Sequence, residues 1–152
     1  MLLGIFLVLA ILTSAFLYEK SLSESVYLGI PTVPCQDYTQ PIQQQFTFRL
    51  SITINGKPYT LDSSIGHDYG KCLHTLYTND SSGKVYVVAN DTSTYTLGQF
   101  FDVWRKTFNE TQIMQYPLTT QDRLEILVNG KKVSTGRNTP LFPNEQIEVI
   151  YE

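Results

Sequence analysis

From Phe46 onward the chain alternates, with Phe46, Phe48, Leu50, Ile52 and Ile54 separated by Thr47, Arg49, Ser51 and Thr53. A period of two with one apolar face predicts a strand buried on one side. Asn55-Gly56 follows, a pair that tolerates positive φ, and marks a two-residue hairpin turn into a partner strand over Lys57 to Leu61. Asp62 to Lys71, where turn residues surround His67 and Asp68, reads as a loop. A second hairpin is predicted from Leu73 to Thr78 and Lys84 to Ala89, around Asn79-Asp80-Ser81-Ser82-Gly83. Leu97, Phe100, Phe101 and Trp104 then recur at i, i+3, i+4 and i+7, which predicts one helix over about Leu97 to Phe108 with Thr94 or Thr96 as its cap.

A loop through Tyr116 and Pro117 comes next, then Leu124, Ile126 and Val128 alternate into a second turn at Asn129-Gly130. Lys131 to Ser134 returns from that turn, and Gln146 to Tyr151 closes the chain with Ile147, Val149 and Tyr151 on one face. Hairpin, crossover helix, second hairpin and closing strand follow one another in the order of a β-grasp, the ubiquitin-like α+β fold. The expected architecture is a mixed sheet with one helix, the Leu73 to Ala89 hairpin being inserted before that helix.

Upstream of Phe46 the pattern is different. Leu2 to Leu17 carries no charge, and only Thr13 and Ser14 interrupt its apolar character. As a helix rising about 1.5 Å per residue it reaches roughly 25 Å, at the short end of what crosses a hydrocarbon core of about 30 Å. Two readings stand open. One is an uncleaved transmembrane anchor that ends at Tyr18 with Lys20 snorkelling; the other is a signal peptide cleaved near Thr13-Ser14-Ala15, although a basic n-region is missing. Both put the remainder on the extracytoplasmic side. Residues 1–18 are thus the membrane segment, the Ser- and Pro-rich residues 19–45 a tether, and residues 46–152 the domain.

Charge and cysteine usage narrow the class. The net charge is −3, and basic residues are scattered except for Lys131-Lys132, so the clustered positive potential that nucleic acid demands is missing. Cys35 and Cys72 are the only two cysteines, and outside the cytoplasm such a pair predicts one disulfide, stabilising by roughly 3 to 4 kcal/mol on the chain-entropy model. The other reading has Cys72 as a small buried hydrophobe and Cys35 unpaired. Asn79, Asn90 and Asn109 each begin an N-x-[S/T] sequon in a polar stretch, which makes them candidate glycosylation sites.

Candidate chemistry is sparse. His67, Cys72 and His74, with Asp68 beside them, offer imidazole and thiolate ligands suited to copper or zinc, Cys72-x-His74 sharing one strand face. A disulfide at Cys72 would remove one ligand. No G-x-S-x-G elbow, C-x-x-C pair or phosphate loop occurs, so catalysis is not expected. Tyr77, Tyr86 and Tyr95 lie in or beside the inserted hairpin, and such amphipathic rings are enriched in interface hot spots, which makes them the preferred partner-binding residues.

The segments CLHTLYTNDSSGKVYV (from Cys72), YTLGQFFDVW (from Tyr95), RLEILVNGKKV (from Arg123) and PLFPNEQIEV (from Pro140) resemble a family of small exported or membrane-anchored proteins of archaea and some bacteria. The centre of that family reads C-L-x-W-L-H-T-H-D-x-S-G-I-I-H-I, followed by F-T-L-G-Q-F-F-D-I-W. The run KTFNETQI after Trp104 looks most like versions from ammonia-oxidising archaea. Where the pattern has its histidines, this chain has Tyr77, Asn79 and Tyr86; Asp80, Ser82 and Gly83 are retained. What a His-rich centre does in relatives is therefore largely lost here.

The expectation is a non-enzymatic accessory or interaction subunit of a membrane protein complex, single-pass in the cell membrane. The resemblance implies a sharper version, an auxiliary subunit of the archaeal copper ammonia monooxygenase. Two alternatives stand beside it: an extracytoplasmic copper- or zinc-binding protein, and a cell-surface structural protein.

Overall fold

The computed structural model describes residues 33–69 and 71–152. The apolar run Leu2 to Leu17 and the first part of the tether lie outside them. Among the described residues no helix is long and apolar enough to cross a membrane.

The alternating stretch forms β1 (Gln44–Ile54), and Asn55 and Gly56, at φ 50° and 72°, turn it into β2 (Lys57–Tyr59). Both residues sit in the left-handed region that a primed hairpin turn requires, which is why Asn-Gly occurs there. Three short strands follow, β3 (His67–Asp68), β4 (Cys72–Leu73) and β5 (Leu76–Tyr77), and then β6 (Lys84–Ala89). The helix α1 (Leu97–Val103) leads into β7 (Phe108–Asn109), β8 (Gln112–Ile113) and β9 (Tyr116–Pro117). Last come β10 (Leu124–Val128), β11 (Lys131–Val133), a 3₁₀ turn at Gly136–Asn138 and β12 (Gln146–Tyr151).

The result is an α+β domain built on a mixed sheet with one helix. Its main sheet runs β11–β10–β12–β1–β6–β5, and β2 joins β1 on the edge that β6 has left. β1 and β12 are parallel at the centre, while the remaining pairs are antiparallel. Phe48, Leu50, Ile52 and Ile54 of β1 are buried on one face together with Val85, Val87, Ile147 and Val149. That face receives Leu97, Phe100, Phe101 and Trp104 of the helix segment, with the Phe48 and Phe100 rings meeting edge to face at 6.4 Å. Fully burying each such side chain contributes roughly 1.5 to 3 kcal/mol, so this layer is the main source of stability.

Thr96 caps the helix through a capping box, its N–H donating to Gln99 Oε1 at 2.9 Å. The helix is shorter than its apolar period suggests. Arg105 N–H donates to the Asp102 carbonyl and Lys106 N–H to the Phe101 carbonyl, a Schellman ending with Arg105 at φ 58° in the left-handed position. Phe108 therefore opens a small three-stranded sheet, β7–β8–β9, in a region read above as loop, and its ring stacks on Phe101 at 4.4 Å. Gly98 lets the 3₁₀ turn close on the helix. A Cβ at Gly98 would lie 2.9 Å from Arg137 Cβ and from its carbonyl oxygen, and Arg137 reaches over to Asp102 Oδ2 at 2.7 Å.

The expected tether is shorter than residues 19–45. Val33 is buried, Gln36 N–H donates to the Leu73 carbonyl and Thr75 N–H to the Pro34 carbonyl, so the chain is part of the domain from Val33 on.

Candidate functional site: the disulfide corner and the tyrosine face

Residues 33–36 run antiparallel to the chain leaving β4, which sets Cys35 opposite His74 in an isolated bridge. Cys72 lies two residues before His74, on the same side of an extended chain. The pairing expected from the sequence is present: Cys35 and Cys72 are joined as a disulfide, with their Cα atoms 5.6 Å apart.

His74 is buried beside that bond. Its Nδ1 lies 3.0 Å from the Val33 carbonyl oxygen, and since a carbonyl only accepts, Nδ1 carries the proton and Nε2 is the nitrogen left with a lone pair in the neutral ring. Nε2 stands 3.5 Å from Asp68 Oδ2, while Asp68 Oδ1 accepts from Arg105 Nη2 at 2.9 Å. Gly66 is what allows this close packing. It adopts φ 80°, its carbonyl accepts from His74 N–H, and a Cβ there would sit 2.3 Å from the Leu76 carbonyl oxygen. An open cleft of about 590 Å³ lies alongside, lined by His67, Asp68, His74 and Arg105 together with Asp62 and Trp104. Trp104 Nε1 donates to Asp62 Oδ2 at 2.6 Å, so the indole fixes that carboxylate at the rim.

The metal set His67, Cys72 and His74 is not assembled as expected. Cys72 has no thiolate while it is oxidised, and His67 turns its Nε2 to the Thr78 carbonyl at 2.9 Å. Among the described residues, the group of potential ligands that converges is Cys35, Cys72 and His74, their ligand atoms all within 4.8 Å of one another. Sequence reasoning missed Cys35 as a neighbour of His74 because residues 33–36 had no periodic pattern to place them. Arg105 was missed too; a basic residue directly after the last apolar helix position was its one signal. Neither imidazole takes a hydrogen bond from a Ser or Thr hydroxyl among the described residues.

The second feature is on the sheet face opposite the helix. Alternation in β5 and β6 buries Leu76, Val85 and Val87 and sends Tyr77 and Tyr86 outward as cross-strand partners. Their rings stack at 5.1 Å with 11° between planes, Lys84 Nζ lies 5.0 Å over the Tyr86 ring, and the His67 ring meets Tyr77 edge-on. Partial burial raises the Tyr77 phenol above its ordinary pKa, with Tyr86 and Tyr38 adding to the effect. Tyr38 and Tyr69 are exposed aromatics of this same region: Tyr69 lies 6.4 Å from the His67 ring.

One sequence expectation needs correction. Tyr95 is not at a binding surface; it is 3% exposed, and its hydroxyl donates to the Asp91 carboxylate, because the residue before the helix cap turns under the helix into the core. The Asn90 side chain is engaged in the fold. Its Nδ2 donates to the Asp37, Gln40 and Pro41 carbonyls and its Oδ1 accepts from Asp37 N–H, so the amide clamps residues 37–41. Asn79 and Asn109 are exposed. Compared with family models, curated proteins and solved structures, the chain finds no match.

Proposed function

We propose that this chain is a membrane-tethered extracytoplasmic interaction domain, which binds a neighbouring subunit of a membrane complex through the sheet face around Tyr77 and Tyr86. The observation that carries this reading is the stacked pair of half-exposed tyrosines on the sheet face opposite the helix. Both rings are pre-ordered by each other, by Lys84 and by His67, so little rotamer freedom remains to be lost when a partner covers them. Tyrosines held in this way are typical anchors of interface hot spots. The extracytoplasmic assignment is supported by the disulfide, a bond that persists in oxidising compartments, and by the uncharged run Leu2 to Leu17. We also infer that the fold is of the β-grasp type, on the strand order β2–β1–β12–β10–β11 with a parallel central pair and one helix between the two Asn-Gly hairpins.

Native gel electrophoresis of solubilised membranes with mass spectrometry tests the reading. Wild-type chain should co-migrate with other subunits, those of ammonia monooxygenase being the complex that the family resemblance points to. The Tyr77→Ala/Tyr86→Ala double variant should be released from it, with roughly 30-fold weaker association, corresponding to about 2 kcal/mol for a hot spot. A chain that always migrates alone, or a double variant that stays bound, would count against the proposal.

A further inference from the structure

Beyond the interaction face, we propose that Cys35, Cys72 and His74 form a zinc site that opens when their disulfide is reduced. The three side chains are brought together by the backbone and not by the sulfur bond alone. Cys72 and His74 share a strand face at i and i+2, Cys35 is the cross-strand partner of His74, and the flanking hydrogen bonds from Gln36 to Leu73 and from Thr75 to Pro34 support that register beside the covalent link. The ligand atoms already lie within 4.8 Å of one another. A tetrahedral zinc keeps two thiolates about 3.8 Å apart and a thiolate and an imidazole about 3.5 Å apart, so side-chain rotation suffices.

The nitrogen is prepared for the role. His74 Nδ1–H is tied to the Val33 carbonyl, the outer-shell bond that orients a ligating imidazole and leaves Nε2 to the metal. Asp68 Oδ2 stands 3.5 Å from Nε2 at the border of the site, and Arg105 holds that carboxylate in place from its other oxygen. Cys35, Cys72 and His74 supply three donors, and solvent supplies the fourth. Two thiolates and an imidazole match the preferences of zinc better than those of a hard cation such as magnesium.

Reduction is the gate, and Cys35 is its entry because it is exposed whereas Cys72 is half-buried. A dithiol reductant attacks Cys35 Sγ through one thiolate, Cys72 leaves as a thiolate, and the second thiol of the reductant then displaces Cys35. The reductant becomes a disulfide, and the protein gains two electrons and two protons as two thiols. Zinc binding returns those two protons to solvent.

The test uses the full chain in detergent micelles, reduced with a water-soluble phosphine, which takes its oxygen from water and leaves two thiols. Cobalt(II) is titrated as the spectroscopic probe and zinc(II) as the competitor. The reduced wild-type chain should develop thiolate-to-cobalt charge-transfer absorption that saturates at one equivalent and is displaced by zinc, and the oxidised chain should develop none. His74→Gln, whose amide can still donate to the Val33 carbonyl, should bind at least about tenfold more weakly, and Cys35→Ser/Cys72→Ser should not bind. If reduction loosens the chain and zinc restores its circular dichroism, the proposal is supported. It is overturned if the reduced chain shows no saturable band, if zinc fails to restore lost structure, if the oxidised chain binds equally, or if His74→Gln binds like wild type.

Discussion

Under the helix, β1 runs for eleven residues, and its buried face meets Phe100, Phe101 and Trp104. At the disulfide corner, β3 and β4 are two residues each and pair only with one another among the described strands, and what fastens them is one covalent bond and hydrogen bonds such as Gln36 to Leu73, Thr75 to Pro34 and His74 to Gly66. Strands of that length have no independent stability. The two regions therefore respond to different insults. The helix half depends on apolar volume, which every solvent condition short of denaturation leaves intact, whereas the corner depends on a bond that a change of redox state removes. A candidate switch belongs in the second kind of region, since elements that move are drawn from the weakly held end of a fold.

The largest expected effect is in the helix half. Phe101 is fully buried and stacks on Phe108, so Phe101→Ala should destabilise the domain by roughly 3 to 5 kcal/mol, read from urea unfolding. Amide exchange should accelerate in β1, β12 and the corner alike. Acceleration confined to β7–β9 would mean that the aromatic layer does not support the sheet. The next largest effect tests the other side. Closing a loop across a sequence separation of 37 stabilises by roughly 2 to 4 kcal/mol, and Cys35→Ser/Cys72→Ser removes that contribution. Exchange should then speed up at Gln36 and His74 while Val149 and Tyr151 in β12 stay protected. Equal loss of protection in both regions would erase the distinction drawn here.

The same contrast explains what the sequence could disclose. Alternation in Phe46 to Ile54, the Asn-Gly pairs at 55 and 129, and the helical spacing of Leu97, Phe100, Phe101 and Trp104 are local signals, and each reappears as the expected element. The helix end was not legible, because Arg105 takes a left-handed position that glycine usually marks, so the apolar period ran on to Phe108. β7 to β9 were missed for a similar reason: two-residue strands cannot display a period. At the corner the disulfide was one of two readings, favoured by a single cysteine pair on the expected extracytoplasmic side, but the neighbourhood of His74 is made by Val33, Cys35 and Asp68, whose placement is tertiary. The aromatic residues show the limit most clearly. Tyr77, Tyr86 and Tyr95 were equivalent as letters, and only the sheet register and the turn before Thr96 send two outward and one into the core.

The smallest expected effect comes from acid, and it sharpens the comparison because the groups concerned are distributed over both regions. Asp37 accepts from the Thr39 hydroxyl at 2.6 Å and from its N–H at 2.9 Å, and these bonds, the hydroxyl first, hold its carboxyl below the ordinary range. Asp80 is lowered likewise by Ser82, and Asp122 by Thr119, while Glu125 is lowered chiefly by its bond from Lys132. In each case the folded carboxyl is more acidic than the unfolded one. The native state then binds fewer protons, so the stabilisation is full above the unfolded pKa, near 4, and is lost as pH falls through the folded value. All four groups are at the surface, where solvent screens such contributions, which ranks this effect below the other two. Asp37 sits in the segment clamped by Asn90, so acid should loosen residues 36–41 before it loosens β12. Urea midpoints and amide exchange between pH 6 and pH 3 check this: the midpoint should begin to fall below about pH 4, and Asp37→Asn should reduce the added exchange at residues 36–41 while leaving the β12 profile unchanged. A midpoint that stays level down to pH 3 would mean that these carboxylates hold nothing, and that the corner is secured by its sulfur bond and backbone alone.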